Sequence, residues 1–411
     1  MSIELLVPEL SGSSPSATDR PRVLHVLGSL DPGGVETWLL ELARHGDDSS
    51  WAFDFCLLGS EKGAYADELE RRGSRIWSCP VRRPELFAPR LYRLLRRTHC
   101  DIVHSHVHYF SGLVLRVARA AGVPIRIAHS HNSHDGSSRS WPRLIYRGLM
   151  KSLLRRSANL GLACSTPAAE ALFGAGHQKN PAVHSAPYGI DLEKVRRLQP
   201  DRIRLRNEFG VPAGVPVVGH VGRLEPQKNQ DFLLEVAAAT ATVMPQTRFV
   251  IVGEGRLREQ LEAKAEQLGL LPQIRFAGQR RDVSELMVGL FDAFLLPSLH
   301  EGLPLVALEA QAAGLPLLMS DRVTEEAVVL PQTSCRYELE AGPEHWAVGL
   351  RRMLESKRLS PSEACRHLAK KGFGIGTSLK NLTARYDEMT RTMCPSHRQQ
   401  SLRAEAGSGM S

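Results

Sequence analysis

The stretch AFLLPSLHEGLPLVALEAQAAGLPLLMSD, residues 293–321, decides the fold. It opens on one short apolar run, AFLLPS (293–298), and closes on another, PLLMS (316–320). Between them a helix is expected over 304–313, with Pro304 at its start, where a missing N–H costs nothing. Gly314 ends that helix, and Pro316 keeps it from resuming. Strand, helix, strand in close succession is the unit of a parallel sheet covered by helices.

The unit recurs throughout the chain before it. Upstream, PVVGHVG (216–222), RFVIVG (248–253) and IRFAG (274–278) alternate with helices expected over 229–243, 255–268 and 282–289. Nearer the N-terminus, VLHVL (23–27), FDFCLL (53–58), IVHSH (102–106), IRIAH (125–129) and LGLACS (160–165) read as strands. Helices are expected between them at 35–45, 64–71, 87–98, 111–121 and 141–156. The fold class is therefore α/β, with two doubly wound, Rossmann-like halves facing across a cleft. A chain of 411 residues suits two such domains. The expected division is a disordered arm over 1–20, a first half over 21–192, a second over 193–375, a helix over 376–393 returning onto the first half, and a disordered tail over 394–411.

Composition narrows the function. Lys and Arg outnumber Asp and Glu by 52 to 44, which favours an anionic partner. Aromatic residues make up 6%, and neither a zinc finger nor an RNA-recognition signature occurs, so nucleic acid is not the expected one. Seven scattered cysteines with no C-x-x-C pair argue for a reducing compartment. No apolar run approaches the roughly 18 residues of a spanning helix, and the N-terminus does not read as a signal peptide. A cytoplasmic location is expected.

In open α/β sheets, ligands sit beyond the carboxyl ends of the strands, so the strand-to-helix loops should carry the chemistry. In GRLEPQKNQD (222–231), Arg223 and Lys228 can reach one anionic group, the first as a fork and the second as a point charge. In GEGRLREQ (253–260), Gly253 and Gly255 permit a tight turn, which needs no ligand to explain it. FAGQRRDV (276–283) offers a platform for a base or ribose. In the deciding stretch, His300, Glu301 and Gly302 form the turn before a helix whose exposed N–H groups bind anions. Glu301 can hold sugar hydroxyls, and Glu309, two helical turns on, can meet a ribose.

Histidines crowd the first half. His104, His106, His108, His129, His131 and His134 invite a metal reading, but no carboxylate or cysteine completes a ligand set at motif spacing. Packing in the sheet or the cleft explains them better, and no metal is expected. The segment WPRLIYRGLMKSLLRRSANL (141–160) carries an apolar side (Trp141, Leu144, Ile145, Leu149, Leu153, Leu154) and a basic stripe (Arg143, Arg147, Lys151, Arg155). Such a helix either covers its sheet or lies on an anionic membrane face.

Taken together, these residues resemble glycosyltransferase family 4. The resemblance rests on Arg223-x4-Lys228, on Glu301-x7-Glu309 within EGLPLVALEAQAAGLPLLMSD, and on VLHVLGSLDPGGVET (23–37), with IVHSHV, IAHSHN and APYGID in the family's order. FDF…EKG…DELERRG (53–73) and GFGI…LKNLTARYDEM (372–389) are similar to bacterial capsule and exopolysaccharide transferases.

The resemblance implies a GT-B fold and a retaining, metal-independent transfer from a nucleotide-diphosphate sugar to a glycan or lipid-diphosphate-linked acceptor. No cofactor is expected, the nucleotide sugar being a co-substrate. Arg223 and Lys228 would neutralise the diphosphate, Glu301 would hold the transferred sugar, and Glu309 the ribose. The amides of Gly302 and Leu303 would face sugar and phosphate, with Pro304 contributing shape. Gly33 and Gly34 would let acceptor or diphosphate approach. The family also places a histidine beside the donor sugar; His131 is the first candidate and His129 the second. Two alternatives share the architecture: a nucleotide-sugar 2-epimerase and a sugar-nucleotide-binding protein without catalysis.

Overall fold

A computed structural model of the chain describes residues 20–46, 49–134 and 140–394. Apart from Arg20 and Cys394, the expected arm (1–20) and tail (394–411) lie outside the described residues. The first half is a seven-stranded sheet of β1 (Arg22–Leu27), β2 (Ala52–Leu57), β3 (Ile76–Ser78), β4 (Ile102–Ser105), β5 (Ile125–Ser130), β6 (Leu160–Ala163) and β7 (Val183–Ser185). The second half is a six-stranded sheet of β8 (Val217–Val221), β9 (Arg248–Val252), β10 (Ile274–Gly278), β11 (Ala293–Leu296), β12 (Leu317–Ser320) and β13 (Ser334–Tyr337). Strand orders are β3-β2-β1-β4-β5-β6-β7 and β10-β9-β8-β11-β12-β13. All neighbours are parallel. Each sheet thus reverses direction once, between β1 and β4 and between β8 and β11, where the loops splay apart and leave a crevice.

Burial on both faces explains why the central strands read as unbroken apolar runs. Val217, Val218, Phe294, Leu295, Leu317 and Leu318 are almost wholly inaccessible. Strands β3, β7 and β13, of three or four residues at or next to the sheet edges, are too short to leave a pattern in the sequence. The chain around the expected boundary between the halves, at 192 and 193, is helical. Helices Leu192–Arg197 and Arg202–Glu208 are capped by the Asp191 and Asp201 carboxylates, which accept from the N–H groups of Lys194 and Arg204. One hydrophobic cluster runs from β1 through Val195 and Leu205 to Leu303, Leu308 and Met319, so the halves share a core.

The chain crosses between the halves twice. After the second sheet, helix Ile375–Met393 lies back on the first. There Trp38 Nε1 donates to Ser378 Oγ (3.1 Å), Trp51 Nε1 donates to Asp387 Oδ1 (2.8 Å), and Tyr386 is wholly buried. The two crossings touch: Ile190 bridges to Gly374, its N–H donating to Phe373 O (2.9 Å) and its carbonyl accepting from Ile375 N–H (2.8 Å).

Helix Trp141–Ser157 departs from a simple sheet-covering role. Met150 and Leu154 are buried, but Trp141 is 74% exposed, and Leu144, Ile145 and Leu149 also face outward. Its apolar residues therefore divide between two faces. Among the described residues, no helix is long and apolar enough to cross a membrane.

Candidate functional site

The loop after β8 is held by backbone contact with its neighbour. Leu224 N–H donates to Glu254 O (2.9 Å). A Cβ on Gly253 would lie 2.0 Å from Gly222 O, and one on Gly255 would lie 2.4 Å from Leu224 O. Gly253, at φ 137°, is also in backbone territory that side chains avoid. These glycines brace the Arg223–Lys228 loop, as turn chemistry requires. Buried Gln230 adds a cross-tie, its amide donating to Arg223 O (2.9 Å).

Lys228 and Glu301, which lie 73 positions apart in sequence, meet here. Lys228 ends a short 3-10 turn, Pro226–Lys228, and its methylenes run over Gly222, where a Cβ would come within 3.2 Å. Its ammonium reaches Glu301 Oε1 at 2.6 Å, with both groups largely withdrawn from solvent. Gln227 locks the two loops together. Its side-chain amide donates to His300 O (3.0 Å), and its main-chain carbonyl accepts from Leu299 N–H (2.8 Å).

The turn through Glu301 and Gly302 is pressed against the first half. A Cβ on Gly302 would sit 2.0 Å from the backbone oxygen of His131. Ser133 Oγ donates to Glu301 O (2.7 Å), and Ser165 Oγ donates to Gly302 O (2.8 Å). Glu326 completes the clamp by accepting from Thr166 N–H (2.8 Å), at the start of the first-half helix Thr166–Phe173. The carbonyls of this turn thus point to the first half. The N–H groups of Gly302 and Leu303 find no acceptor among the described residues. Pro304 is the N-cap of helix Leu305–Ala312 and donates nothing.

Across the crevice stands helix Gly34–Arg44, with Gly33 as N-cap. Glu36 in its first turn is pushed above the usual carboxylate range by burial, against which the Arg223 charge pulls it back. The Arg223 charge is therefore felt across the crevice, in the first turn of this helix. A Cβ on Gly33 would lie 2.3 Å from Glu36 Oε2, so a side chain there would displace that carboxylate, whereas Gly34 has open space.

Glu309 stands apart from the Lys228–Glu301 pair. Burial lifts its carboxyl to about 7, Glu41 adds to the shift, and Lys194 opposes it. Its charged neighbours are thus on helices Gly34–Arg44 and Leu192–Arg197. The FAGQRRDV platform is also committed elsewhere: Arg280 pairs with Asp282 and Glu208, both at 2.7 Å.

His131 and His129 both lie at the end of β5, buried. Both ring nitrogens of His131 are engaged, Nδ1 with Tyr188 Oη (2.7 Å) and Nε2 with His106 Nδ1 (2.8 Å). His129 Nδ1 meets His104 Nε2 (3.2 Å). His108 leaves the β4 face at φ 47° and turns into a cavity of about 290 Å³ between the halves. His108, His134, Arg143 and Tyr146 line it from the first half, and Gln227 and His300 from the second. The rings of His134 and His300 lie 5.1 Å apart. Among the described residues, three clusters have ligand atoms close enough to share a cation: His25/His104/His106, His106/His129/His131 and Glu41/His45/Asp191. None contains Glu301 or Lys228.

Reading the sequence missed Glu36, Gln227, Tyr188 and Glu326. Glu36 and Gln227 lie inside motifs that drew attention for other residues. Tyr188 and Glu326 act through contacts between distant segments, which no local spacing reveals.

Comparison with known proteins agrees with this architecture. The model of the glycosyl transferases group 1 matches residues 201–373, and that of glycosyltransferase family 4 matches residues 32–194. A putative glycosyltransferase of Bacillus subtilis, EpsF, is 34% identical over 313 residues, covering 75% of this chain and 81% of its own length. The capsular polysaccharide biosynthesis glycosyltransferase CapH of Staphylococcus aureus is 24% identical, covering 82% and 92%. Among solved structures, Anabaena HepE in complex with UDP-glucose superposes with a TM-score of 0.76 at 20% identity, covering 89% of this chain and 99% of that one. The chain belongs to glycosyltransferase family 4 and has the GT-B fold, in a branch related to bacterial exopolysaccharide and capsule transferases.

Proposed function

We propose that this protein transfers a sugar, with retention of configuration, from a nucleotide-diphosphate sugar to a glycan or lipid-diphosphate-linked acceptor of a surface polysaccharide. The observation that carries the reading is the Lys228–Glu301 contact of 2.6 Å beside two main-chain N–H groups without acceptors among the described residues, at a crevice that the Arg223 charge reaches. An entering diphosphate draws Lys228 away from Glu301. It then lies among Arg223, Lys228 and the amides of Gly302 and Leu303, where the charge of the departing phosphate is stabilised. Glu301, released from its cation, takes hydroxyls of the transferred sugar, with Pro304 shaping the turn beneath.

Glu309 is assigned to the ribose, for which it exchanges the surroundings set by Glu41. Gly253 acts through the loop it braces, and Gly33 and Gly34 border the diphosphate. His131, with His129 as the second candidate, lies beside the donor sugar. It contributes shape and position, since both its ring nitrogens are already engaged. Retention follows when the acceptor hydroxyl attacks from the face the phosphate leaves, passing its proton to a phosphate oxygen. This scheme uses neither metal nor cofactor.

The cavity around His134 and His300 is the acceptor's place. Helix Trp141–Ser157 borders it through Arg143 and Tyr146. Its outward Trp141, Leu144, Ile145 and Leu149, with basic residues along the same helix, suit the interface of an anionic membrane. The protein should therefore pellet with anionic liposomes at low salt and stay in solution with neutral ones; equal behaviour with both sinks the membrane contact.

The decisive experiment measures transfer by Arg223→Ala and Lys228→Ala with a donor selected by thermal shift against UDP, GDP and their sugars. Each should lose at least about a hundredfold in turnover, the scale of one charge-stabilising contact. Near-normal rates in both would overturn the phosphate assignment. An epimerase would consume donor without acceptor, so a donor-only reaction tests the second reading in the same assay.

A further inference from the structure

Below the crevice lies a layer of five imidazoles. His25 on β1 and His104 on β4 are register partners, and His106, His129 and His131 extend the layer toward the second half. Two hydrogen-bonded chains run through it. The shorter is Tyr386–His104–His129, with contacts of 2.7 and 3.2 Å. The longer is Tyr188–His131–His106–His25, with contacts of 2.7, 2.8 and 2.9 Å.

All five rings are buried, and burial depresses every one of them below the usual imidazole range, His25 and His129 to about 3. They are neutral at physiological pH. A neutral imidazole carries one N–H and one bare nitrogen. In the longer chain, Nδ1 of His25 meets Nε2 of His106, and Nδ1 of His106 meets Nε2 of His131. A donor at one ring therefore dictates the acceptor at the next. The three rings are either all Nδ1–H or all Nε2–H.

The far end decides between them. His25 Nε2 is buried with no hydrogen-bond partner among the described residues, and the rings of Phe53 and Phe55 lie 5.1 and 5.6 Å from its own. The Nε2–H arrangement would bury an unpaired donor there. The Nδ1–H arrangement leaves only a bare lone pair, and native structures tolerate unpaired acceptors better than unpaired N–H groups. Tyr188 then accepts from His131.

We propose that Tyr188, His106 and His25 are positioning residues that lock His131 in its Nδ1–H tautomer, the three rings changing only together. What they position is the segment whose carbonyl abuts Gly302, the joint between the halves at the site. The importance of that joint rests on the transferase reading. The lock itself is measured without substrate, so the two can fail separately.

The test is side-chain nitrogen NMR of the full-length protein labelled with ¹⁵N-histidine, at neutral pH. Signals of His25, His106 and His131 should all report Nδ1–H; Nε2–H at any one of them overturns the proposal. Tyr188→Phe removes the hydroxyl while preserving the ring. It should shift the tautomer of all three toward Nε2–H, His25 included, whereas a change confined to His131 overturns the coupling. The wild-type spectrum decides the first point even if the variant does not fold.

Discussion

The two halves share a topology but place opposite chemistry at the carboxyl ends of their strands. In the first half, β1, β4 and β5 end in five buried imidazoles bonded to one another and to two tyrosines. In the second, the central strands β8, β11 and β12 are apolar except for His220 and Ser320, and the charge sits in the loops beyond them, at Arg223, Lys228 and Glu301. One half is a rigid neutral floor, and the other presents ions that a ligand can displace. A crevice between a fixed wall and a responsive one suits a substrate whose own charge must be neutralised on arrival and stabilised on departure.

Acid should break this contrast most strongly. The first-half imidazoles are held neutral, while the unfolded chain protonates them below about 6.5. Their contribution is intact above that pH and is lost as pH falls toward their depressed native values. Each ring removes up to about 1.4 kcal/mol per pH unit in that window. Urea unfolding at pH 5 and pH 7 should therefore differ by several kcal/mol, and His25→Phe should flatten the slope. Equal stabilities at the two pH values would contradict the neutral floor.

A smaller effect is expected where the walls meet. Gly302→Ala puts a methyl 2.0 Å from His131 O and forces the halves apart. Displacing catalytic groups by about 1 Å costs on the order of a hundredfold in rate. Turnover should fall toward that level with donor affinity affected less, and an unaltered rate would show that the contact is dispensable.

The smallest effect concerns Glu309. Its carboxyl is raised from 4.5 to about 7, so the native state holds a proton that the unfolded chain has already released. Stability from this group is complete below about 4.5 and declines as pH rises through 7. Glu309→Gln should raise the unfolding free energy at pH 8 by on the order of 1 kcal/mol and change it little at pH 5. A gain of the same size at both pH values would rule out a protonated carboxyl as its source.

Much of this was legible before any coordinates. Strand β11, helix Leu305–Ala312 and strand β12 could be read because apolar runs, Pro304 and Gly314 all act locally. Arg223, Lys228 and Glu301 were legible as types of residue in loops of known direction. The tautomer chain was not, because alternating histidines on two strands say nothing about which nitrogen meets which. Nor was the outward Trp141–Leu149 stripe, because an amphipathic pattern counts apolar residues without saying what covers them. Glu309 illustrates the same limit, since helical spacing fixed its turn but not the neighbours it finds across the crevice.

The paired crossings at Ile190 and Gly374 have a practical corollary. Because two strands of chain traverse the waist side by side and hydrogen-bond to each other, the halves are sewn at one seam rather than strung on a tether. Opening should proceed as rotation about that seam, and excising the first half at Asp191 would strip it of the helix Ile375–Met393 that covers Trp38 and Trp51. A soluble fragment would have to graft that distant helix back on.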